Sequence, residues 1–578
     1  MDYQYFPTIQ VGSSVELTRG YSDIIAQVQR ETRRRQQKLI TIETYPGTDE
    51  EALLQQLIQP LQPALVIHSE AIFCEKAAFE KEVFPNLTED RVFGRMRSGQ
   101  LTDFIDPEAH ASVVQKIRQA TESANLVVIY GVGASLVVPP ELLLYADLPR
   151  WEIQQRIRKG NFANWRCSAG ALEEEQAIKR CYYLDWPLAD RLKKRVLPQS
   201  DYLINLFSAE PVLISTVDYL QGLSEVVKQP FSLVPFFDPG VWGGHWMQEQ
   251  FHYPQPVVNL AWSFNGVPEE NSLLLAWGEA VFETPGNNLV FFFGEALLGV
   301  KPYGRFGDSF PIRFNFLDTV GGQNLSLQVH PKVSYMQEQF QLPYTQDESY
   351  YILHAEEGAK VYLGLQKGVT KEALMTALEQ GASGENFFDA DRYIYQRPVQ
   401  AHDHYLIPAG TVHSSGAGAV VLEISATPNR FTFKMWDWGR VDLTGKPRPV
   451  HLDHAAANID WRRDETFVSK ELCNVFEVIA SGEGWQEERT GLHAAEWIET
   501  RRHTFSVATI HENTDGVNVI NLVSGAEVTI DSPDGEFAPF LVHFAQTVII
   551  PGAIKCYRIT PSGASQGQQC MTMKAFIR

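Results

Sequence analysis

The chain has 578 residues, more than one compact domain ordinarily holds. Apolar residues make up 44% and charged residues 21%, which predicts several packed cores and excludes a disordered chain. A formal net charge of -21 excludes an extended basic surface for nucleic acid or an anionic membrane, yet permits a local basic pocket for a phosphorylated small molecule. The cysteines Cys74, Cys167, Cys181, Cys473, Cys556 and Cys570 form no CxxC pair, so reduced thiols are expected and no disulfide framework. No apolar run reaches membrane-spanning length. The start, Met1 to Tyr5, lacks the basic-then-apolar order of a signal peptide, and a cytoplasmic location is expected.

From Gln37 to Ile204 the pattern is α/β. Leu39 to Ile42 reads as a strand, followed by a Tyr45-Pro46-Gly47 turn and a helix from Asp49 carrying Ala52, Leu53, Leu54 and Leu57. The runs Leu126 to Tyr130 and Leu142 to Asp147 are continuous and apolar, as in strands buried on both faces of a parallel sheet. A basic helix, Trp151 to Lys159, follows the second run. This alternation predicts a doubly wound domain over residues 1–207 and is similar to the P-loop nucleoside or nucleotide kinases. The phosphate-binding loop of such kinases needs glycines, a lysine and a Ser/Thr. Glu43 to Glu51 holds one glycine and no lysine, and it sets Asp49, Glu50 and Glu51 at the helix start, where a phosphate would sit. The expectation is a degenerate kinase-like domain that does not bind ATP in the usual way.

After Ser208 the texture changes to short aromatic strands broken by Gly/Pro turns, such as Phe291 to Gly294 and Phe310 to Leu317. This predicts a mainly-β jelly-roll domain over residues 208–460, with a small helical insertion at Leu374 to Gln380. A second all-β block is expected from about Thr466, within a domain at 461–578. Ile407-Pro408-Ala409-Gly410 and Ile550-Pro551-Gly552-Ala553 read as a repeat, hence two related barrels. In the second copy Lys555, Cys556 and Tyr557 fall where His413 falls in the first, so no metal is expected there.

The segment Leu325 to Pro331 carries Gln328 and His330 on one strand face, with Leu327 and Val329 turned to the other. Glu348 precedes the apolar strand Ser349 to Leu353, and His413 follows the turn at Pro408 to Gly410. One amide, two imidazoles and one carboxylate make a mixed N/O set for a divalent catalytic metal. His402, His404, His451 and His454 lie outside these motifs and read as surface or satisfied histidines.

With Glu357 to Gly364, Leu422-Glu423-Ile424, Trp436 to Arg440 and Val241 to Gly244, these motifs resemble, in order, the type I mannose-6-phosphate isomerases, zinc enzymes built from cupin barrels. The match runs from about Phe231 to Arg440. The resemblance implies zinc held by Gln328, His330, Glu348 and His413, and a sugar phosphate interconverted between aldose and ketose through a cis-enediol. It also implies a substrate contact at Arg440, against which stands a salt bridge with Asp437.

The sequence departs from the pattern at three places. Asn315 and Gln346 stand where many members have lysine, and Asn259 to Ser263 alters an early Glu-(Ser/Cys)-Trp motif. Arg313 shares a strand face with Asn315 and is the candidate to supply the missing charge. Two readings follow: a metal-dependent sugar isomerase, or a non-catalytic sugar-sensing protein on an isomerase fold. A cupin-type oxygenase fits the ligand motifs less well.

Overall fold

The structure, a computed structural model, describes residues 3–123, 126–168, 170–208, 210–428, 430–441, 445, 448–491, 493–514 and 516–578. They form two compact units. One comprises residues 8–225 and 272–292, the other 1–7, 226–271 and 293–578.

In the first unit, β1 (Leu39–Thr44), β2 (Leu65–His68), β3 (Val127–Gly131), β4 (Leu142–Asp147) and β5 (Tyr202–Asn205) run parallel. β6 (Val212–Ser215) joins one side antiparallel, giving the run β6-β5-β4-β1-β3-β2, and the short Thr18–Arg19 pairs antiparallel outside β6. β1, β3 and β4 are buried at every residue, which is why they read as unbroken apolar runs. After β1 the chain turns with Thr48 N–H donating to the Tyr45 carbonyl (3.1 Å), and Asp49 caps the next helix by accepting from Ala52 N–H at 2.9 Å. The basic helix spans Arg150–Arg158.

This unit also takes in a small sheet in which Thr8–Gly12 runs parallel to Ser272–Trp277, which pairs antiparallel with Ala280–Pro285. Phe291 to Gly294, expected as a strand, lies within the helix Asn287–Leu298, which kinks at Phe293. A four-residue apolar run carries no period of its own, and here it continues a longer helical segment that ends at Gly299 with φ 87°.

The second unit holds two β-sandwiches. The first is built from β7 (Phe236–Asp238), β8 (Trp262–Gly266), β9 (Ile312–Asp318), β10 (Leu327–Val329), β11 (Glu348–Ala355) and β12 (Lys360–Leu365). It continues with β13 (Ile394–Pro398), β14 (His404–Ile407), β15 (His413–Ser415), β16 (Ala419–Ala426) and β17 (Phe433–Trp436). Its sheets run β14-β11-β16-β9-β8-β7 and β13-β12-β15-β10-β17. Between them pack Leu317, Tyr350, Ile352, Leu363, Tyr405 and Val421. The inserted helix spans Lys371–Ser383, capped by Thr370 and ended by Gly384.

The second sandwich uses β18 (Glu477–Gly482), β19 (Trp485–Gly491), β20 (Ile498–Phe505), β21 (Thr509–Glu512) and β22 (Asn518–Ser524). β23 (Glu527–Asp531), β24 (Phe540–His543), β25 (Thr547–Ile550), β26 (Cys556–Pro561) and β27 (Cys570–Ile577) complete it. Its sheets run β25-β22-β27-β20-β19-β18 and β24-β23-β26-β21, the same order strand for strand as the first, without a partner for β17. Thr466 lies in a helix, Glu465–Glu471, capped by Asp464, so the all-β block starts later than expected, at Glu477. The six cysteines are free thiols, and among the described residues no helix is long and apolar enough to cross a membrane.

Candidate metal centre

Strand register gathers the candidate residues inside the first sandwich. Glu348 opens β11, opposite Ile407 on one side and Ser425 on the other, and Ser425 in turn faces Arg313 on β9. On the second sheet Gln328 of β10 lies opposite His413 of β15. His330 follows β10 directly. All four are buried, with exposures of 7% for Gln328, 1% for His330, 3% for Glu348 and none for His413.

His330 Nε2 lies 3.1 Å from Glu348 Oε2, and His413 Nε2 lies 2.9 Å from Glu348 Oε1. Gln328 Nε2 is 3.1 Å from His413 Nε2. The nearest donor atoms of His330, Glu348 and His413 all fall within 4.8 Å of one another. His330 Nδ1–H donates to the Phe431 carbonyl and His413 Nδ1–H to the Thr411 carbonyl, each at 2.9 Å. With Nδ1 so engaged, each ring turns its Nε2 inward. His330 Nε2 and Glu348 Oε1 have no hydrogen-bond partner among the described residues. Buried polar atoms left so call for a partner, and two imidazoles with a carboxylate are a donor set that fits a divalent ion such as zinc. The Gln328 oxygen accepts from Ser326 Oγ at 3.2 Å, and it is the amide nitrogen that faces His413.

Burial alone would push Glu348 up, but His330 and His413 hold its carboxyl well below the usual carboxylate range. Burial opposes charge on His330, and Glu348 outweighs it, so the imidazole is raised above its ordinary value.

Arg313 is buried on the same interior face, and its Nε has no hydrogen-bond partner among the described residues. Asn315 donates to Glu423 Oε1 at 3.3 Å, and Gln346 to Glu348 Oε2 at 3.4 Å. Arg440 is bound through Nη2 to Asp437 Oδ1, through Nε to the Asp437 carbonyl (3.1 Å) and through Nη1 to the Asn324 carbonyl (2.6 Å). His404, expected on the surface or satisfied, is fully buried, and among the described residues neither ring nitrogen has an aligned hydrogen bond; burial drives its pKa down to about 3, so it stays neutral.

The motif reading gave no role to Glu423. Its carboxyl is buried in the row Tyr405-Tyr350-Glu423-Asn315, one step along the sheet from Glu348. Burial, then the nearby Glu348 charge, push it up to about 7, against the pull of His330 and Arg313. The signal was available: a lone carboxylate inside Val420 to Ala426, a strand otherwise apolar or small.

Residues 20–228 match a family model described as a domain of unknown function (DUF8485). The mannose-6-phosphate isomerase ManA of Bacillus subtilis (strain 168) is 29% identical over 233 residues, 39% of this chain and 67% of the relative. The mannose-6-phosphate isomerase of Streptococcus mutans serotype c is 26% identical over 232 residues, 40% of this chain and 67% of the relative. A crystal structure of the mannose 6-phosphate isomerase from Bacillus subtilis covers 60% of this chain and 99% of its own, at 19% identity and a TM-score of 0.49. The named homologues of this chain are thus sugar phosphate isomerases.

Proposed function

We propose that this protein is a metal-dependent aldose–ketose isomerase built on two cupin jelly rolls, converting mannose 6-phosphate to fructose 6-phosphate. The observation that carries this is the convergence of His330, Glu348 and His413 on one point, with buried lone pairs left unpaired, in a chain whose homologues bear that name. Gln328, His330, Glu348 and His413 would hold the metal, zinc in the family resembled. Bound there, the metal would stabilise negative charge on the substrate oxygen.

The chain's own groups supply the rest. Glu423, poised near neutrality beside the metal residues, can take a proton from the carbon next to the carbonyl and return it to the neighbouring carbon. Asn315 orients that carboxyl. Arg313 is the cation with a free buried donor and would bind a substrate anion, fixing register. Arg440, tied to Asp437 and the Asn324 carbonyl, would contact substrate through what its guanidinium has left. The test is turnover of mannose 6-phosphate by zinc-loaded protein of verified metal content. Its absence in metal-replete protein would sink the reading.

A second reading, a non-catalytic sugar sensor or an isomerase of another sugar, is favoured by Asn315 and Gln346. Both are neutral, and both are spent on carboxylates rather than free for a phosphate.

For the N-terminal unit we propose a degenerate nucleotide-kinase-like role without ATP binding. The parallel order β5-β4-β1-β3-β2 supports the fold. A cleft of about 490 Å³ at the strand ends is lined by Asp49, Glu50, Glu51 and Glu70, with His68 Nε2 held 2.8 Å from Glu50. Carboxylates there repel phosphates. Magnesium-dependent ATP binding at micromolar concentration would refute this.

A further inference from the structure

The turn Pro408–Thr411 hydrogen-bonds to His330, to His413 and to Asp347, the neighbour of Glu348. Gly410 N–H donates to the His330 carbonyl at 2.9 Å, from a positive φ of 91°. Ala409 N–H donates to Asp347 Oδ1 at 2.7 Å, and Asp347 directly precedes Glu348. The Thr411 carbonyl accepts from His413 Nδ1. Arg463, itself buried, clamps the turn from outside, donating through Nη1 to the Pro408 carbonyl, to the Ala409 carbonyl at 2.8 Å and to Thr411 Oγ1. A shift of this turn would move each metal-facing atom.

The second sandwich reaches the back of this arrangement. A cavity of about 10 Å³ is lined by Asp347, Glu348 and Ser349 from the first sandwich and by Glu496, Trp497 and Thr500 from the second. Three buried polar atoms of these residues have no hydrogen-bond partner among the described residues: Asp347 Oδ2, Glu496 Oε1 and Trp497 Nε1. The space suits a single water, which has two carboxyl oxygens to donate to and one indole N–H to accept from. Burial, then the nearby Asp347, push the Glu496 carboxyl well above the ordinary carboxylate range, and burial raises Asp347 to about 6, with Arg463 beside the turn pulling both the other way. Elsewhere the lining is apolar or small, as at Leu406, Ile424 and Gly491, so packing alone does not call for a carboxyl at position 496.

We propose that Glu496 is a positioning residue for the metal centre: through Asp347 and the Pro408–Thr411 turn, the C-terminal sandwich holds His330, Glu348 and His413 in their converged arrangement. This rests on the metal reading above. It gives the C-terminal sandwich a task at the first sandwich's site. Groups that orient metal ligands from behind typically change metal affinity 10–100-fold.

The experiment uses the full chain, stripped of metal, with Zn²⁺ affinity measured by competition against a chromophoric chelator and folding followed by thermal melting. Glu496→Ala is expected to weaken Zn²⁺ binding about tenfold or more, and Glu496→Gln, which keeps a donor and an acceptor, by less than about threefold. A Glu496→Ala protein that melts earlier yet binds Zn²⁺ as wild type does would overturn the proposal and leave Glu496 as packing. Should that variant not fold, Asp347→Asn decides, since it keeps the acceptor for Ala409 N–H. Its Zn²⁺ affinity is expected to fall about tenfold, and an unchanged affinity overturns the proposal. Wild-type protein that takes up no Zn²⁺, or takes it up equally after His330→Ala, sinks the metal reading and this proposal together. An effect of His330→Ala without any effect of the position 347 and 496 variants sinks this proposal alone.

Discussion

The two sandwiches share one frame and fill it with opposite chemistry. In the first, Glu348 lies between Ile407 and Ser425; in the second, Asn518 lies between Ile550 and Phe576, with Pro408 and Pro551 following the two isoleucines. Gln328 faces His413 across β10 and β15, and His511 faces Tyr557 across β21 and β26. Two residues beyond Gln328 comes His330, and two beyond His511 comes Asn513. The set Gln328, His330, Glu348, His413 is thus matched by His511, Asn513, Asn518, Tyr557. The second set closes on itself: Asn518 donates to Asn513 Oδ1 at 2.6 Å, Tyr557 donates to Asn518 Oδ1 at 3.4 Å, and Asn513 donates to the Pro551 and Ile554 carbonyls. Donors and acceptors alternate among Asn513, Asn518 and Tyr557, which satisfy one another, while His511 Nε2 has no hydrogen-bond partner among the described residues. In the first set the two unpartnered atoms, His330 Nε2 and Glu348 Oε1, are those of a base and an acid, and burying them so costs free energy unless a proton or a metal cation is shared among the three side chains.

The largest test of that contrast removes a ligand from each frame. His330→Ala or His413→Ala should abolish zinc retention, seen by elemental analysis, and take turnover to background. The matched change, Asn513→Ala, should leave zinc content untouched and cost about 1–3 kcal/mol of stability by taking a partner from Asn518 and from the Pro551 and Ile554 carbonyls. Zinc loss from the Asn513 variant would break the comparison. Next in size is Arg313→Met, which keeps volume and removes the charge. It should lower kcat/KM for mannose 6-phosphate by about 10–100-fold, the value of one charge-assisted contact, with zinc content unchanged. A normal kcat/KM would remove Arg313 from the substrate.

Why the first frame was legible and the second only partly so follows from where each signal lies. Gln328 and His330 are neighbours on one strand, and Glu348 and His413 each sit beside a local marker, a strand start and a Pro/Gly turn. Such short-range patterns survive in sequence. The central strands of the N-terminal sheet were legible for the same reason, being buried at every residue. Phe291 to Gly294 was misread because four apolar residues fit helix or strand equally. The pairing of Thr8–Gly12 with Ser272–Trp277, and the meeting of Asp347 with Glu496, depend on contacts between distant segments that no period encodes. Tyr557 shows a finer limit. Counting from the shared Ile-Pro pair brings Cys556 to the place of His413, but it is Tyr557 whose side chain points inward and is fully buried.

pH separates the two frames with a smaller effect. Glu348 is depressed, so its contribution to the metal-free fold is present above the ordinary carboxylate value of 4.5 and is lost as pH falls through the depressed value. His330 is raised, so its contribution is full below 6.5 and is lost as pH rises through the raised value. The metal-free first sandwich should therefore gain most from this pair between those two values. Zinc binding runs the other way, because His330 must shed its proton to offer Nε2. Zn²⁺ affinity should climb as pH rises toward the raised His330 value, approaching about tenfold per unit for one displaced proton, and then level off. In the second frame burial, then Lys574, hold His511 well below its ordinary value. It stays neutral across this range, and His511→Gln should leave the profile unchanged. Zn²⁺ affinity flat between pH 6 and 8 would contradict the ion pairing of His330 with Glu348.

The smallest predicted effect tests whether the second frame is closed by hydrogen bonds rather than by packing alone. Tyr557→Phe keeps the ring stacked on His511, with centroids 5.2 Å apart, and deletes only the hydroxyl that reaches Asn518. The Asn518 carbonyl would then lose a donor inside the sandwich, at a cost of about 1 kcal/mol. Since Asn518 still donates to Asn513, the loss should not spread, and zinc content and turnover should match wild type. In urea titrations the transition of this sandwich should move to lower concentration with its slope preserved. An unmoved transition would mean that the hydroxyl contributes nothing and that the stacked rings close the frame. A fall in zinc content would mean that the two frames communicate through more than Glu496.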